Sequence, residues 1–365
     1  MNYKNKIVLN DKIFEKLTKL KNQMGYEEKN WDDWFDELIV EINPENSSII
    51  ESIFKKNVYE KFYDMWIKNF ANNLPNIWNE NSVRILTQDA SSKSISSSIV
   101  IGRGPSLFEN NHLDLLSKSK FDGNIICTDG VLIKALEAGV TPDKFNLYVV
   151  TIDAQEHQKR FYENEITKKF GNNIKCIFST TAHPNAYNAA KSSGLDVYWI
   201  HTLFDYEKGH KSFNQIQGIM SRAKNDKKIP AIQTGANVGT SAWVIAWSIL
   251  KCNHVGLIGL DLGYDASVSW DEISYHGYPI PKDVDQNSEI FKRAYPTVHN
   301  PEFNCDCKQD PLFLYYCNAL KEFIQKTQVR VKTINATEGG SLFGEGITCT
   351  SLKNFLKNYN FPVTS

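Results

Sequence analysis

Three aspartates close short β-branched runs, and each stands where an α/β protein does its chemistry. Asp129 lies in Cys127-Thr128-Asp129-Gly130, Asp153 ends Val149-Val150-Thr151-Ile152-Asp153, and Asp261 follows Gly256-Leu257-Ile258-Gly259-Leu260. In open α/β sheets ligands bind beyond the carboxyl ends of the strands. Carboxylates there can take ribose hydroxyls, hold Mg²⁺ through water, or cap the next helix. If a metal takes part, Asp129, Asp153 and Asp261 are its candidate ligands, with Mg²⁺ the expected ion; no tightly bound cofactor is expected.

Two turns could cradle a phosphate. Gly102-Arg103-Gly104-Pro105-Ser106 joins the run Ser97–Ile101 to an amphipathic segment. Its glycines keep Cβ atoms out of a ligand's way, and Ser106 is placed to cap the new helix, whose amides favour an anion. An ordinary strand-to-helix turn reads the same way, and the stretch is neither a complete GxGxxG nor a Walker loop. Thr234-Gly235-Ala236-Asn237-Val238-Gly239-Thr240, before the apolar segment Ser241–Leu250, is the second cradle. There the plain alternative is a helix packed closely on the sheet.

Histidines supply the candidate bases: His183, His201, His276 and His299 all fall in expected loops or at strand ends. Glu338, in Asn335-Ala336-Thr337-Glu338-Gly339-Gly340, is placed to line a base or sugar pocket, unless that loop is simply a turn. No Ser/His/Asp order, H-E-x-x-H or nucleophilic cysteine context is present, so covalent catalysis is not indicated.

The elements that must position these groups alternate. Strands are expected at 97–102, 124–127, 146–152, 174–178, 196–200, 254–259 and 329–334, with helices at 107–118, 130–138, 154–169, 238–252 and 310–327. This predicts an α/β fold, Rossmann-like, with a mostly parallel sheet and helices on both faces. Residues 1–95 read as a helical N-terminal region, with helical spacing in Ile13-Leu17-Leu20 and Trp31-Trp34-Phe35-Leu38. A longer helix is expected from Ser47 to Phe70, its aromatic stripe (Phe54, Tyr59, Phe62, Tyr63, Trp66) serving packing. The serine-rich segment 88–98 reads as a linker, and 96–365 as the nucleotide-binding catalytic domain. Segments 205–230 and 265–309 break the rhythm and are expected to form lids.

Composition bounds the class. The 365 residues carry 41 basic and 42 acidic side chains, so no polyanion-binding surface and no nucleic-acid partner is expected. Seven cysteines at irregular spacing suggest a reducing compartment, and Cys305 and Cys307 have no second pair with zinc spacing. No apolar run is long enough to span a bilayer and no signal-peptide core is seen, so a cytoplasmic location is expected.

Taken together, GRGPSL (102–107), CTDG (127–130), VTIDA (150–154), TGANVGTSAW (234–243), LIGLDLGY (257–264) and NATEGGSLFG (335–344) resemble the 6-hydroxymethylpterin diphosphokinase MptE-like family, in its Maf glycosyltransferase branch. The resemblance runs from Ser97 to Phe355. A His-x-His-Gly-Asp-Asn segment typical of the pterin kinases is replaced here by Phe178-Ser179-Thr180-Thr181-Ala182-His183-Pro184. The resemblance implies a glycosyltransferase using a CMP-activated nonulosonic sugar on a protein or glycan acceptor. It implies Gly102, Gly104, Pro105 and Ser106 at the nucleotide phosphate, Asp129 and Asp153 near nucleotide and sugar, and Thr234, Gly235 and Asn237 at the phosphate or sugar carboxylate. His299 is the implied base, with His276 next and Asp153 a further catalytic candidate; Tyr264, Tyr275 and Tyr278 would assist the leaving group. Pyrophosphoryl transfer from ATP to a pterin, and a catalytically silent nucleotide-sugar-binding module, are the alternatives. A homo-oligomer is compatible with the sequence.

Overall fold

Runs such as Ser97–Ile101 and Asn124–Thr128 have no polar face, and only a strand covered on both sides satisfies them. In the computed structural model, which describes residues 11–23, 60–87, 96–204, 212–224, 227–280 and 284–360, they lie at the centre of a ten-stranded sheet. Its strands include β1 (Asn81–Ser82), β2 (Ser97–Ile101), β3 (Asn124–Thr128), β4 (Asn146–Thr151), β5 (Lys175–Ser179) and β6 (Asp196–Thr202). A small antiparallel ribbon follows, β7 (Arg222–Ala223) with β8 (Lys227–Lys228). The sheet is completed by β9 (Ala231–Ile232), β10 (His254–Ile258), β14 (Lys332–Asn335) and β15 (Ile347–Cys349). Between β10 and β14 in the chain, β11 (Tyr264–Asp265), β12 (Thr297–Asn300) and β13 (Cys305–Lys308) form a three-stranded antiparallel sheet.

The order in the large sheet is β1-β6-β5-β4-β3-β2-β10-β14-β15, with β9 also on β6, and every pairing is parallel. All carboxyl ends therefore share one edge. Alternate residues sort into two cores. Ile99, Ile101, Ile125, Cys127 and Val149 pack with Leu113, Leu132 and Phe355 on one face. Val100, Ile126, Val150 and Ile177 pack with Trp243, Ile245 and Leu320 on the other.

Several expected helices are interrupted. The segment 107–118 becomes Ser106–Glu109 and His112–Ser117, broken where Asn111 turns left-handed at φ 51°. The segment 154–169 becomes a 3-10 turn, Glu156–Phe161, and a short helix, Glu165–Phe170. Helices Val238–Ser248 and Pro311–Thr327 fall where expected.

The chain divides into two units, Met1–Ile53 and Phe54–Ser365. The helix Asp11–Gln23, which contains the Ile13-Leu17-Leu20 spacing, belongs to the first. Trp31–Leu38, and residues 47–59 of the expected longer helix, lie outside the described residues, as do 88–95 of the expected linker. The helix Glu60–Asn79 and β1 belong to the unit that holds the sheet, so a boundary at residue 95 does not match this division. The reason is local: Asn69 Nδ2 donates to the carbonyls of Ala154 and Thr181, and Asn73 Nδ2 to those of Thr180 and Ala182. Ser97 and Ser98, placed in the linker, are buried within β2. No helix among the described residues is long and apolar enough to cross a membrane.

Candidate functional site

The loop after β4 carries Asp153 into a cavity of about 810 Å³ at the carboxyl edge of the sheet. Thr202 at the end of β6, Leu203 after it and the loop Gln233–Ala236 after β9 close it on one side. Tyr315, Tyr316 and Phe323 of the helix Pro311–Thr327, together with Phe62 and Trp66 of the helix Glu60–Asn79, make its walls aromatic. Both irregular segments reach it: Asn214 from 205–230, and Gly277, Tyr278 and Pro279 from 265–309. Lys326 is the basic side chain among the described lining residues, and it is ion-paired with Glu322.

Behind Asp153 lies Asp129, a buried carboxylate. It accepts hydrogen bonds from the Gly130 amide at 2.8 Å and from Thr151 Oγ1 at 3.0 Å, and Thr151 in turn bonds the Tyr162 hydroxyl. Burial and the neighbouring Asp153 charge push Asp129 up to about 7, against those two hydrogen bonds and the pull of Arg103. Asp153 Oδ2 accepts from Gln158 Nε2 at 2.8 Å. Desolvation raises Asp153 as well, opposed by His157. Two neighbouring carboxyl groups whose pKa values are raised can keep a proton between them near neutral pH, which suits general acid or base work.

The glycine turn has a different partner from the one its composition suggests. The amides of Gly102 and Gly104 donate to the carbonyls of Ile258 and Gly259, both at 2.8 Å. A Cβ on Gly104 would stand 1.7 Å from Asp261 Oδ2, and one on Gly102 would stand 2.3 Å from the Gly259 carbonyl. Ser106 does not cap its helix; Pro105 holds that position, and Ser106 Oγ donates to Asp261 Oδ2 at 2.8 Å. The close approach that glycine permits is thus between β2 and β10 of the protein itself. Gly102, Gly104, Pro105 and Ser106 do not line the cavity.

Of the remaining candidates, Thr234 and Gly235 line the cavity, while Asn237 caps the helix Val238–Ser248 through its Oδ1 and the Thr240 amide at 2.8 Å. Gly235 and Ala236 are both left-handed, φ 54° and 60°, which brings this loop to the wall. Asp261 is pushed up to about 6 by burial despite its Ser106 bonds. Glu338 accepts from the Leu352 amide at 2.9 Å and pairs with buried His112 at 3.1 Å, so it ties the last helix to the segment after β2.

The histidines fall elsewhere. His299 sits on β12, exposed and 2.8 Å from Asp306, and His276 ends the exposed face of the helix Trp270–His276; neither lines the cavity. His201 is buried between Thr180 and Asn214, and His183 caps the helix Pro184–Ser192. Tyr278 lines the cavity, whereas Tyr264 and Tyr275 do not. Among the described residues no three His, Cys, Asp or Glu side chains gather to hold a metal. Asp261 is engaged with Ser106, so the three aspartates do not form one Mg²⁺ site.

The 6-hydroxymethylpterin diphosphokinase MptE-like family matches residues 68–267, more than half of the sequence. The chain belongs to this family. No curated protein matches this MptE-like chain. Among solved structures, a Maf glycosyltransferase from Magnetospirillum magneticum AMB-1 shares its fold at a TM-score of 0.54 and 15% sequence identity. The likeness covers 82% of the MptE-like chain and 39% of the larger protein.

Phe62, Trp66, Tyr315, Tyr316 and Phe323 were not expected at the site. Phe62 and Trp66 show in the sequence as a packing stripe, and helical spacing does not distinguish a stripe that faces a core from one that faces a cavity.

Proposed function

We propose that this MptE-like protein transfers a sugar from a CMP-linked nonulosonic acid to an acceptor hydroxyl, with Asp153 as the base. The observation that carries this reading is Asp153 itself, a carboxyl with a raised pKa at the edge of a parallel sheet, facing an aromatic cavity. The acceptor O–H gives its proton to Asp153; its oxygen bonds the anomeric carbon as the bond to the CMP phosphate oxygen breaks, and CMP leaves with that electron pair. The aromatic walls suit the flat face of a base or the apolar face of a sugar ring. Thr234, Tyr278 and Lys326 are among the lining groups able to meet the phosphate or sugar carboxylate. The fold shared with a Maf glycosyltransferase supports the reading.

The family description carries a second reading, pyrophosphoryl transfer from ATP to a pterin, since a flat bicyclic ring also suits aromatic walls. Thermal-shift titration separates them. Stabilisation by CMP without metal, weakened by Tyr316→Ala, is expected. Stabilisation only by ATP and hydroxymethylpterin with Mg²⁺ would replace the first reading with the second.

A further inference from the structure

A second hollow, of about 670 Å³, opens on the far side of the Asp153 loop and shares Gln155 with the aromatic cavity. One wall is the helix Glu60–Asn79, which presents Asp64, Lys68 and Asn72 at successive four-residue steps, so they stack along one face about 6 Å apart. The other wall is Glu156 and His157 after β4, with His183, Pro184 and Asn185 after β5. The floor is fixed by Asn69, which holds the carbonyls of Ala154 and Thr181, and by the His183 amide, which donates to the Asp153 carbonyl at 3.3 Å.

We propose that this groove seats the acceptor, and that the acceptor is a carbohydrate; the proposal rests on the transferase reading above. Position comes first. The groove and the cavity share Gln155, two residues after Asp153, so a donor in the cavity and an acceptor in the groove would approach each other across the loop that carries Asp153. Chemistry comes second. The lining mixes both charge signs with amides and imidazoles, and Met65 and Pro184 are its only apolar side chains among the described residues. Asp64, Lys68 and Asn72 make no side-chain hydrogen bond or ion pair among the described residues. That leaves a ladder of donors and acceptors for a ligand whose hydroxyls both donate and accept.

A polypeptide acceptor fits less well. Peptides are held by an open strand edge, an apolar groove for a helix, or an aromatic groove for proline-rich segments. Here β4 and β5 are interior strands paired on both sides, and no Phe, Tyr or Trp among the described residues lines the groove.

Saturation-transfer NMR on the full chain tests this, with lactose, maltotriose and N,N′-diacetylchitobiose as probes and a Ser/Thr-rich peptide alongside. Transfer to at least one sugar is expected. Asn72→Trp, which fills the groove from an exposed helix position, should reduce it at least fivefold, and Lys68→Met should weaken it, with melting temperatures of both variants near wild type. No transfer to any sugar, transfer indifferent to both substitutions, or transfer to the peptide alone would overturn the proposal. The CMP thermal shift is read separately. Sugar binding without a CMP shift keeps the groove and removes the transferase reading, and a CMP shift without sugar binding does the reverse.

Discussion

Ser106 Oγ donates to Asp261 Oδ2 at 2.8 Å while the Ser106 amide approaches Asp261 Oδ1 at 3.3 Å, so one carboxylate takes both donors at the start of a helix. That is the arrangement by which helix starts hold phosphates, satisfied here from within the chain. Asp261 thereby bolts the turn after β2 to the turn after β10.

Gly104→Ala should therefore act on stability before it acts on any ligand. Its methyl group would collide with the Asp261 carboxylate and crowd the Gly259 carbonyl, 2.9 Å away. A loss of about 1–3 kcal/mol is expected, as for an overpacked core. Urea unfolding measures it, and an unchanged midpoint would show that Asp261 moves aside at no cost.

The raised carboxyls set a pH trend. Asp129 and Asp261 rise from 3.8 to about 7 and about 6. Between those limits the folded chain keeps protons that the unfolded chain has released, so these two groups make stability fall as pH rises from about 4 to 7. A tenfold difference in proton affinity between folded and unfolded chain is worth about 1.4 kcal/mol, so Asp261 alone contributes on the order of 3 kcal/mol to that decline. Asp261→Asn should flatten the slope between about pH 4 and 6 and Asp129→Asn between about pH 4 and 7, read from unfolding midpoints at several pH values. Parallel slopes in wild type and variants would refute the assignment.

Asp153→Asn is expected to slow sugar transfer about 10²–10⁴-fold, the usual contribution of a positioned base, while CMP affinity changes little. His299→Ala and His276→Ala should leave the rate within about twofold, since both rings are outside the cavity. Initial rates with a CMP-linked donor check all three. A large loss from His299→Ala would return the base to the antiparallel sheet.

Removing one aromatic wall should weaken CMP without harming the fold. Tyr316→Ala and Trp66→Ala are each expected to reduce affinity about 2–10-fold, corresponding to about 0.5–1.5 kcal/mol of ring contact. Calorimetric titration reads the loss. Equal affinity in both variants would mean that the base sits elsewhere.

The sheet was legible because its strands have no polar side: Ile99, Val100 and Ile101 are all buried, and such runs between amphipathic segments permit little else. The break at Asn111 was not, since apolar residues stand on both sides of it, Leu107 before and Leu113 and Leu116 after, and none of them marks the left-handed residue between. Asp153, Thr234 and Gly235 reached the cavity because strand ends and helix entries are where such folds open. The glycine turn misled because space for a ligand and space for a neighbouring carboxylate demand the same residue. His299 stood out by residue type and by its place in the family resemblance, and neither reports which sheet carries it.

The amide ladder of Asn69 and Asn73 has a consequence for synthesis. The carbonyls that these side chains hold belong to residues 154 and 180–182, made about a hundred residues later. At ribosomal speeds of about 5–20 residues per second, the helix Glu60–Asn79 waits on the order of 5–20 s before its dock exists. Throughout that interval Phe70 lacks Phe213, the ring it packs against in the folded chain. Expression from a start point after residue 73 would leave the later carbonyls without their donors.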